Sequence, residues 1–140
     1  LTRIEENGVG LAAPQVAESL RIFAYWVPET EDETEIPPTV FVNPEIRPIG
    51  EDSEDGWEGC LSIPGLRGLV PRHRRIKVKA RRLDGEPVSL TADGCGGRVI
   101  QHEYDHLDGG VFLDRMTNIR SLVFEPEWER YVLGAEPEDC

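Results

Sequence analysis

The chain has 140 residues, of which 39% are hydrophobic, and this length predicts one domain spanning residues 1–140. Its 27 acidic and 15 basic side chains give a formal net charge of −12, which disfavours direct binding to nucleic acid or to an anionic membrane surface. No apolar run approaches the ~20 residues of a membrane span, and no basic-then-apolar signal segment opens the chain. These features predict a soluble protein.

The cysteines indicate the redox compartment of the protein, and the first residue bears on how the sequence starts. Cys60, Cys95 and Cys140 cannot all pair within one chain, so they favour a metal ligand plus bystanders over a disulfide framework, in a reducing compartment. The chain begins with Leu1 rather than methionine, and we expect either a processed start or a fragment.

In chain order, the first half alternates predicted strands with acidic loops. The apolar stretch 22–27, ended by Pro28, predicts a buried strand, and residues 39–42 predict a second. The acidic residues of 29–35, followed by two prolines, predict an exposed loop, as do the acidic residues of 51–55.

The second half begins with a predicted hairpin. Residues 75–81 alternate polar and apolar side chains, which predicts an antiparallel strand with one face in the core. Asp84 and Gly85 predict the turn, and residues 88–91 the returning strand. Seven of the 15 basic residues lie in 72–82; we interpret them as a solvated strand face rather than a phosphate-binding patch.

Two helices complete the predicted elements. The apolar spacing over 97–107 predicts one of them, ended by two glycines. Pro126 predicts the start of a short amphipathic helix, with a frayed tail over 136–140.

Residues 101–106 contain the pattern His-Glu-x-x-His. On a helix, His102 and His106 share one face and can direct two imidazoles at one metal ion. Glu103 can then take a proton from a bound water without ligating the metal. The alternative is two solvated histidines on an acidic helix.

A hydrolytic metal site needs a third protein ligand. Cys60 is the upstream candidate, since it lies in a glycine-containing segment that permits a tight backbone approach. An isolated cysteine in such a segment is more often a small buried hydrophobe.

Three separate segments together carry a more specific signal. They resemble the three signature motifs of the peptide deformylase family, in the family's order: residues 8–15 (GVGLAAPQ), 58–62 (EGCLS) and 101–107 (QHEYDHL). The resemblance implies an α+β fold, with antiparallel β-sheets packed around a central metal-binding helix. It also implies a hydrolase that removes the N-formyl group from the N-terminal formylmethionine of nascent polypeptides and releases formate.

The resemblance assigns a role to each residue of the reaction centre. The implied ligands of one divalent metal are Cys60, His102 and His106. Fe²⁺ is the favoured ion, with Zn²⁺ or Ni²⁺ as alternatives, because a thiolate and two imidazoles suit several metals. Glu103 is the implied general base and then general acid, while the Gln15 side-chain amide and the Leu61 backbone N–H are the implied oxyanion donors.

The resemblance also implies substrate contacts. The positions concerned are Val9, Gly10, Gly59 and Arg67. Helix periodicity adds Cys95 and Val99 as further candidates, because they share one stripe with His102 and His106 if the helix extends that far. Val9 is expected in the methionine pocket, and Glu58 and Arg67 are expected to support substrate binding and the shape of the site. Asp105 is interpreted as a residue behind the ligands, with a solvated helix carboxylate as the alternative.

If the helix extends back to Cys95, this residue is expected to line the pocket as a second reactive thiol. The alternative is that Cys95 is a buried residue without a role in the reaction. The departure from the family at Gly96 and Gly97 leads us to expect a late or frayed helix start, since each helical glycine costs roughly 1 kcal/mol relative to alanine.

The resemblance implies an N-formylmethionyl peptide or nascent chain as the partner, close to the ribosome. Docking through the acidic C-terminus is not expected. The expected location is the bacterial cytoplasm, or an organelle of bacterial descent. Two alternatives remain: a related metal hydrolase for other N-acyl groups, and a non-catalytic relative that binds metal or formyl-peptides.

Overall fold

The computed structural model describes residues 2–4, 8–16, 20–29, 31, 34–60 and 62–133. Nine strands belong to this part of the chain: β1 (Thr2–Ile4), β2 (Gly8–Ala12), β3 (Ile22–Val27), β4 (Ile36–Pro48), β5 (Ser53–Cys60), β6 (Ile63–His73), β7 (Arg75–Arg81), β8 (Pro87–Asp93) and β9 (Val123–Phe124). They pair antiparallel in the order β8-β7-β4-β3-β2-β1-β5-β6-β9. The helices are α1 (Gly94–Leu107) and α2 (Glu125–Trp128), the second continuing as a π-helical turn, Glu129–Leu133. The expected α+β fold with antiparallel strands around a helix is confirmed.

The main core lies between α1 and the sheet. Buried and less buried residues alternate along β3 and β7, because successive side chains of a strand point to opposite faces. The buried faces share one hydrophobic cluster with α1, which includes Phe23, Phe41, Ile76, Val99 and Ile100. This packing fixes the face of α1 that turns away from solvent. Among the described residues, no helix is both long and apolar enough to span a bilayer.

The strands predicted over 22–27 and 75–81 are confirmed, and so is the hairpin turn, in which Gly85 has φ +87°. The predicted bounds of the two acidic loops were wrong at their C-terminal ends. Pro37 and Pro38 lie in β4, because this part of β4 pairs with β3 alone and needs no amide donor on its other edge. Residues 53–55 lie in β5, where their exposed side chains are compatible with pairing to β6.

The start of α1 also differs from the expectation. The helix begins at Gly94, so it includes Gly96 and Gly97 instead of starting late. A Cβ atom at Gly96 would lie 2.6 Å from the Ile36 Cδ1 atom, and one at Gly97 would lie 3.3 Å from the Ala92 backbone. Glycine therefore lets this end of α1 approach β4 and β8 closely. Pro126 lies at the start of α2 as predicted, whereas the tail over 136–140 lies outside the described residues.

Candidate metal centre

The end of β5 and the middle of α1 bring three possible metal ligands together. Cys60 is the last residue of β5, and His102 and His106 lie one turn apart on the buried side of α1. One ligand atom from each residue lies within 4.8 Å of the others. The Cys60 Sγ to His106 Nε2 distance is 3.5 Å, and all three side chains are buried. The structure thus assembles one thiol and two imidazoles from segments 42 or more residues apart in sequence.

The electrostatics of the cluster fit a cation. Burial raises the pKa of the Cys60 thiol, but interactions with His102, His106 and the Ser62 backbone outweigh burial and lower it to about 5. Burial lowers the pKa of His102, but Cys60 and Glu58 outweigh it and raise the value to about 9. The buried His102 Nε2 has no hydrogen-bond partner among the described residues. A buried thiolate beside an orphaned imidazole nitrogen is a donor set that suits a divalent transition metal.

Glu58 binds the Nδ1 atom of His102, the ring nitrogen on the side away from Nε2. Its side chain is completely buried, and its Oε1 accepts a hydrogen bond of 2.7 Å from His102 Nδ1. The carboxylate also binds Arg72 through two bonds, of 2.9 and 3.0 Å, and Arg98 through one of 2.7 Å. Arg72 and His102 hold the pKa of Glu58 well below its usual range despite its burial, so it stays an acceptor. In the neutral imidazole the one proton therefore lies on Nδ1, and Nε2 is the nitrogen that becomes available to a metal once its own proton is lost.

Asp105 continues this ionic cluster. Its Oδ2 accepts a bond of 2.5 Å from Arg72 Nη1, and both its oxygens accept bonds from Arg115. Asp105 is 6% exposed, so the alternative of a solvated helix carboxylate is wrong. Glu58 and Asp105 are indicated by the sequence, but no role is predicted for Arg72, Arg98 or Arg115, because no local spacing indicates which carboxylate an arginine will meet.

Glu103 follows His102 on α1 and is completely buried, and its charge helps to raise the pKa of His102. The β2 backbone passes close to it: a Cβ atom at Gly10 would lie 2.6 Å from Glu103 Oε1 and 2.8 Å from its Cδ. Gly10 is predicted to contact substrate, and in the structure this glycine also makes room for the carboxylate. β2 and α1 are thus in contact at the residue with the implied acid/base role.

Known proteins with similar sequences share one family. A family model described as polypeptide deformylase matches residues 2–121. This chain belongs to the polypeptide deformylase family. It is 45% identical over 122 residues to peptide deformylase 1 of Xanthomonas campestris, covering 85% of this chain and 71% of the relative. It is 48% identical over 127 residues to peptide deformylase 1 of Prochlorococcus marinus, covering 88% of this chain and 66% of the relative.

Solved deformylase structures share the fold. A class I type b peptide deformylase from Acinetobacter baumannii, in a Met-Ala-Ser-bound crystal structure, has a TM-score of 0.71 and 42% identity, with 77% of this chain and 70% of that chain covered. The Synechococcus elongatus peptide deformylase in complex with actinonin has a TM-score of 0.70 and 41% identity, with 81% of this chain and 58% of that chain covered.

The remaining deformylase positions fall into two groups. Leu61 and the side chains of Val9 and Gln15 lie outside the described residues, although the backbones of the latter two lie in β2 and in a 3₁₀ turn, Ala13–Val16. Their roles stay predictions. Gly59 is buried in β5, where a Cβ atom would lie 3.1 Å from the Arg67 side chain.

Arg67, Cys95 and Val99 are all buried. Arg67 lies over the Trp128 ring at 4.5 Å and bonds Glu125 at 3.1 Å, so α2 covers this residue. Cys95 and Val99 belong to the main core cluster. The sulfur of Cys95 is disulfide-bonded, so the expectation of a free, reactive thiol at this position is wrong. Whether these three contact substrate stays a prediction.

Proposed function

We propose that this chain removes the N-formyl group from the N-terminal formylmethionine of nascent polypeptides and releases formate. One observation carries the proposal: a buried carboxylate, Glu103, acts electrostatically on His102, one of three clustered ligand candidates, in a chain of the deformylase family. The Met-Ala-Ser-bound structure of the Acinetobacter baumannii relative supports a peptide that begins with methionine as the product.

Cys60, His102 and His106 would hold one divalent metal ion, for which we favour Fe²⁺, with Zn²⁺ or Ni²⁺ as alternatives. Bound there, the ion would supply Lewis-acid polarisation and lower the pKa of water in its open position. Glu58 would orient His102 by accepting a hydrogen bond from Nδ1, so that Nε2 is the nitrogen whose lone pair can bind a metal. The chain therefore contributes a fixed ligand tautomer as well as the ligands.

Glu103 would take the proton of the attacking water and pass it to the departing amine. Burial suits this role, because the carboxylate is held next to the ligand His102 and away from bulk solvent. The Gln15 side-chain amide and the Leu61 backbone N–H would stabilise charge that develops on the formyl oxygen. We expect Gln15→Ala to lower turnover on the order of 10²-fold if its amide has this role.

The peptide would lie along β2. An extended chain can pair with a strand backbone, and glycine permits close approach, so Val9 and Gly10 are the proposed contacts, with Gly59, Arg67, Cys95 and Val99 as further candidates. The substrate implies proximity to the ribosome in a bacterial cytoplasm or a related organelle. The acidic residues of 125–129 give no reason to expect docking through that segment.

The test is formate release from formyl-Met-Ala-Ser under anaerobic conditions, with metal analysis of the same sample and acetyl-Met-Ala-Ser as the matched substrate. We expect turnover of the formyl peptide alone, at one metal ion per chain. Comparable turnover of the acetyl peptide would instead favour a hydrolase for other N-acyl groups. Stoichiometric metal with no turnover of either peptide would favour a non-catalytic relative.

A further inference from the structure

Arg115 makes a two-point contact with a buried carboxylate of α1. Its Nη2 donates to Asp105 Oδ1 at 2.9 Å, and its Nε donates to Oδ2 at 3.2 Å. The Arg115 side chain is 59% exposed, whereas the Asp105 side chain is 8% exposed. A surface arginine therefore fixes both oxygens of an interior carboxylate, the geometry that a planar guanidinium favours.

The contact continues inward through alternating charges. Asp105 Oδ2 binds Arg72 Nη1, and the other edge of Arg72 binds both oxygens of Glu58. Glu58 in turn accepts a hydrogen bond from His102 Nδ1, with an N···O distance of 2.7 Å. The two inner groups, Arg72 and Glu58, are 4% and 0% exposed, so water cannot readily replace a lost partner.

We propose that Arg115 is a positioning residue for the metal centre, acting through Asp105, Arg72 and Glu58 on the orientation of His102. With Arg115 in place, Asp105 has one carboxylate orientation and holds Arg72 at one position. Arg72 then fixes the Glu58 oxygen that sets the tautomer and tilt of the His102 ring. Without Arg115, Asp105 keeps a single partner and can rotate, and His102 loses part of its orientation. The inference rests on the proposed metal site and extends it to the surface of the molecule.

The chain offers a matched control. Arg21 binds Asp108 at 2.9 Å beside the end of α1, with side chains 41% and 56% exposed. This ion pair resembles that of Arg115 in length and in the exposure of its arginine, but none of the contacts described here connects it to Glu58. Both Arg115→Gln and Arg21→Gln remove one exposed guanidinium, so both variants are expected to fold.

The experiment measures Co²⁺ binding to the full chain under anaerobic conditions, by competition with a chelator and by the absorption spectrum of the bound ion. Arg115→Gln should weaken Co²⁺ binding about 3- to 10-fold, below the 10- to 100-fold typical of a direct outer partner of a ligand, and shift the spectrum. Arg115→Lys should weaken binding at least about 2-fold, because one ammonium cannot span both Asp105 oxygens. Arg21→Gln should leave affinity and spectrum unchanged.

Three results would overturn the inference. Equal affinities for Arg115→Gln and Arg21→Gln would show that the contact does not reach the metal centre. Wild-type affinity in Arg115→Lys would show that charge alone suffices and that the two-point contact has no role. Failure of the unmodified chain to bind Co²⁺ at one ion per chain would refute the proposed metal centre as well, which distinguishes that failure from the other two.

Discussion

Glu103 and the candidate ligand His102 are adjacent in sequence but differ in their expected roles, and a single substitution separates these roles. Glu103→Gln preserves side-chain size and leaves all three possible ligands intact. Because a positioned acid/base is lost, we expect deformylation to fall at least ~100-fold, while the metal content and the unfolding transition stay unchanged. Formate release at measured metal loading tests this. Near-normal turnover of a fully loaded variant would refute the proposed role.

Gly10 limits the space available to the same carboxylate. Gly10→Ala would place a Cβ atom 2.6 Å from Glu103 Oε1, so the flexible end of Glu103 must move. We expect a loss of activity on the order of 10- to 100-fold from misplacement of an acid/base group, with metal binding retained. Gly50→Asn is the control, since Gly50 has φ +76° and no heavy atom within 4 Å of a built Cβ. Full activity in Gly10→Ala would show that Glu103 tolerates displacement.

The shifted pKa values of Cys60 and His102 predict how metal binding depends on pH. With pKa values of about 5 and about 9, the metal-free centre holds a thiolate and an imidazolium at neutral pH. Metal must displace the His102 proton, so apparent affinity should rise about ten-fold per pH unit up to about pH 9 and then level off. Chelator competition from about pH 6 to 8 measures this slope. An affinity that is constant over that range would contradict it.

At the residue scale, the sequence predicts the candidate metal ligands better than it predicts the ion pairs around them. The spacing of His102 and His106 follows from helix geometry, and the motifs add Cys60 as a candidate. The ion pairs of Glu58 could not be predicted, because Glu58 lies opposite Gly68 in the β5–β6 register and meets Arg72 only through the length of its side chain. Side-chain partners of this kind depend on packing in three dimensions.

At the scale of elements, α1 shows where helix propensity misleads. Gly96 and Gly97 predict a late helix start, yet the helix begins at Gly94. Tertiary packing outweighs propensity here, because the space beside Gly96 and Gly97 is occupied by β4 and β8. Local patterns were sufficient for β3 and for the β7–β8 hairpin, since alternation and a turn dipeptide are properties of adjacent residues.

The same two glycines give a paired prediction. In Gly96→Ala the new Cβ atom contacts only the Ile36 Cδ1 atom, at the end of a flexible side chain that can move aside. The gain in helix propensity, up to roughly 1 kcal/mol, should therefore raise the free energy of unfolding. Gly97→Ala meets the Ala92 backbone at 3.3 Å, which cannot move as a side chain does, and should gain less or lose stability. Urea unfolding of both variants measures the difference. A more stable Gly97→Ala than Gly96→Ala would contradict this account.

At the scale of the whole molecule, the sequence predicts the fold class but not the strand order. β4 pairs with β7 across 26 intervening residues, and β1 inserts between β2 and β5. No local signal encodes such neighbours, because long-range pairing is selected by the shared core. The centre depends on this topology: β5 carries Cys60 and Glu58 to α1, and β6 carries Arg72 to the same point.

Glu58 is where these three elements are joined by charge, through Arg72 of β6 and through Arg98 and His102 of α1. Glu58→Gln removes the charge that compensates two buried guanidinium groups, and breaking a buried ion pair from one side costs about 3–5 kcal/mol. We expect the free energy of unfolding of the metal-free chain to fall by about that amount in urea. Glu54→Gln is the control, because Glu54 meets Arg74 at 3.7 Å with both side chains roughly half exposed, and an exposed pair contributes at most about 1 kcal/mol. Equal losses in the two variants would mean that the buried cluster does not stabilise the fold, and that β5, β6 and α1 are held together by apolar packing alone.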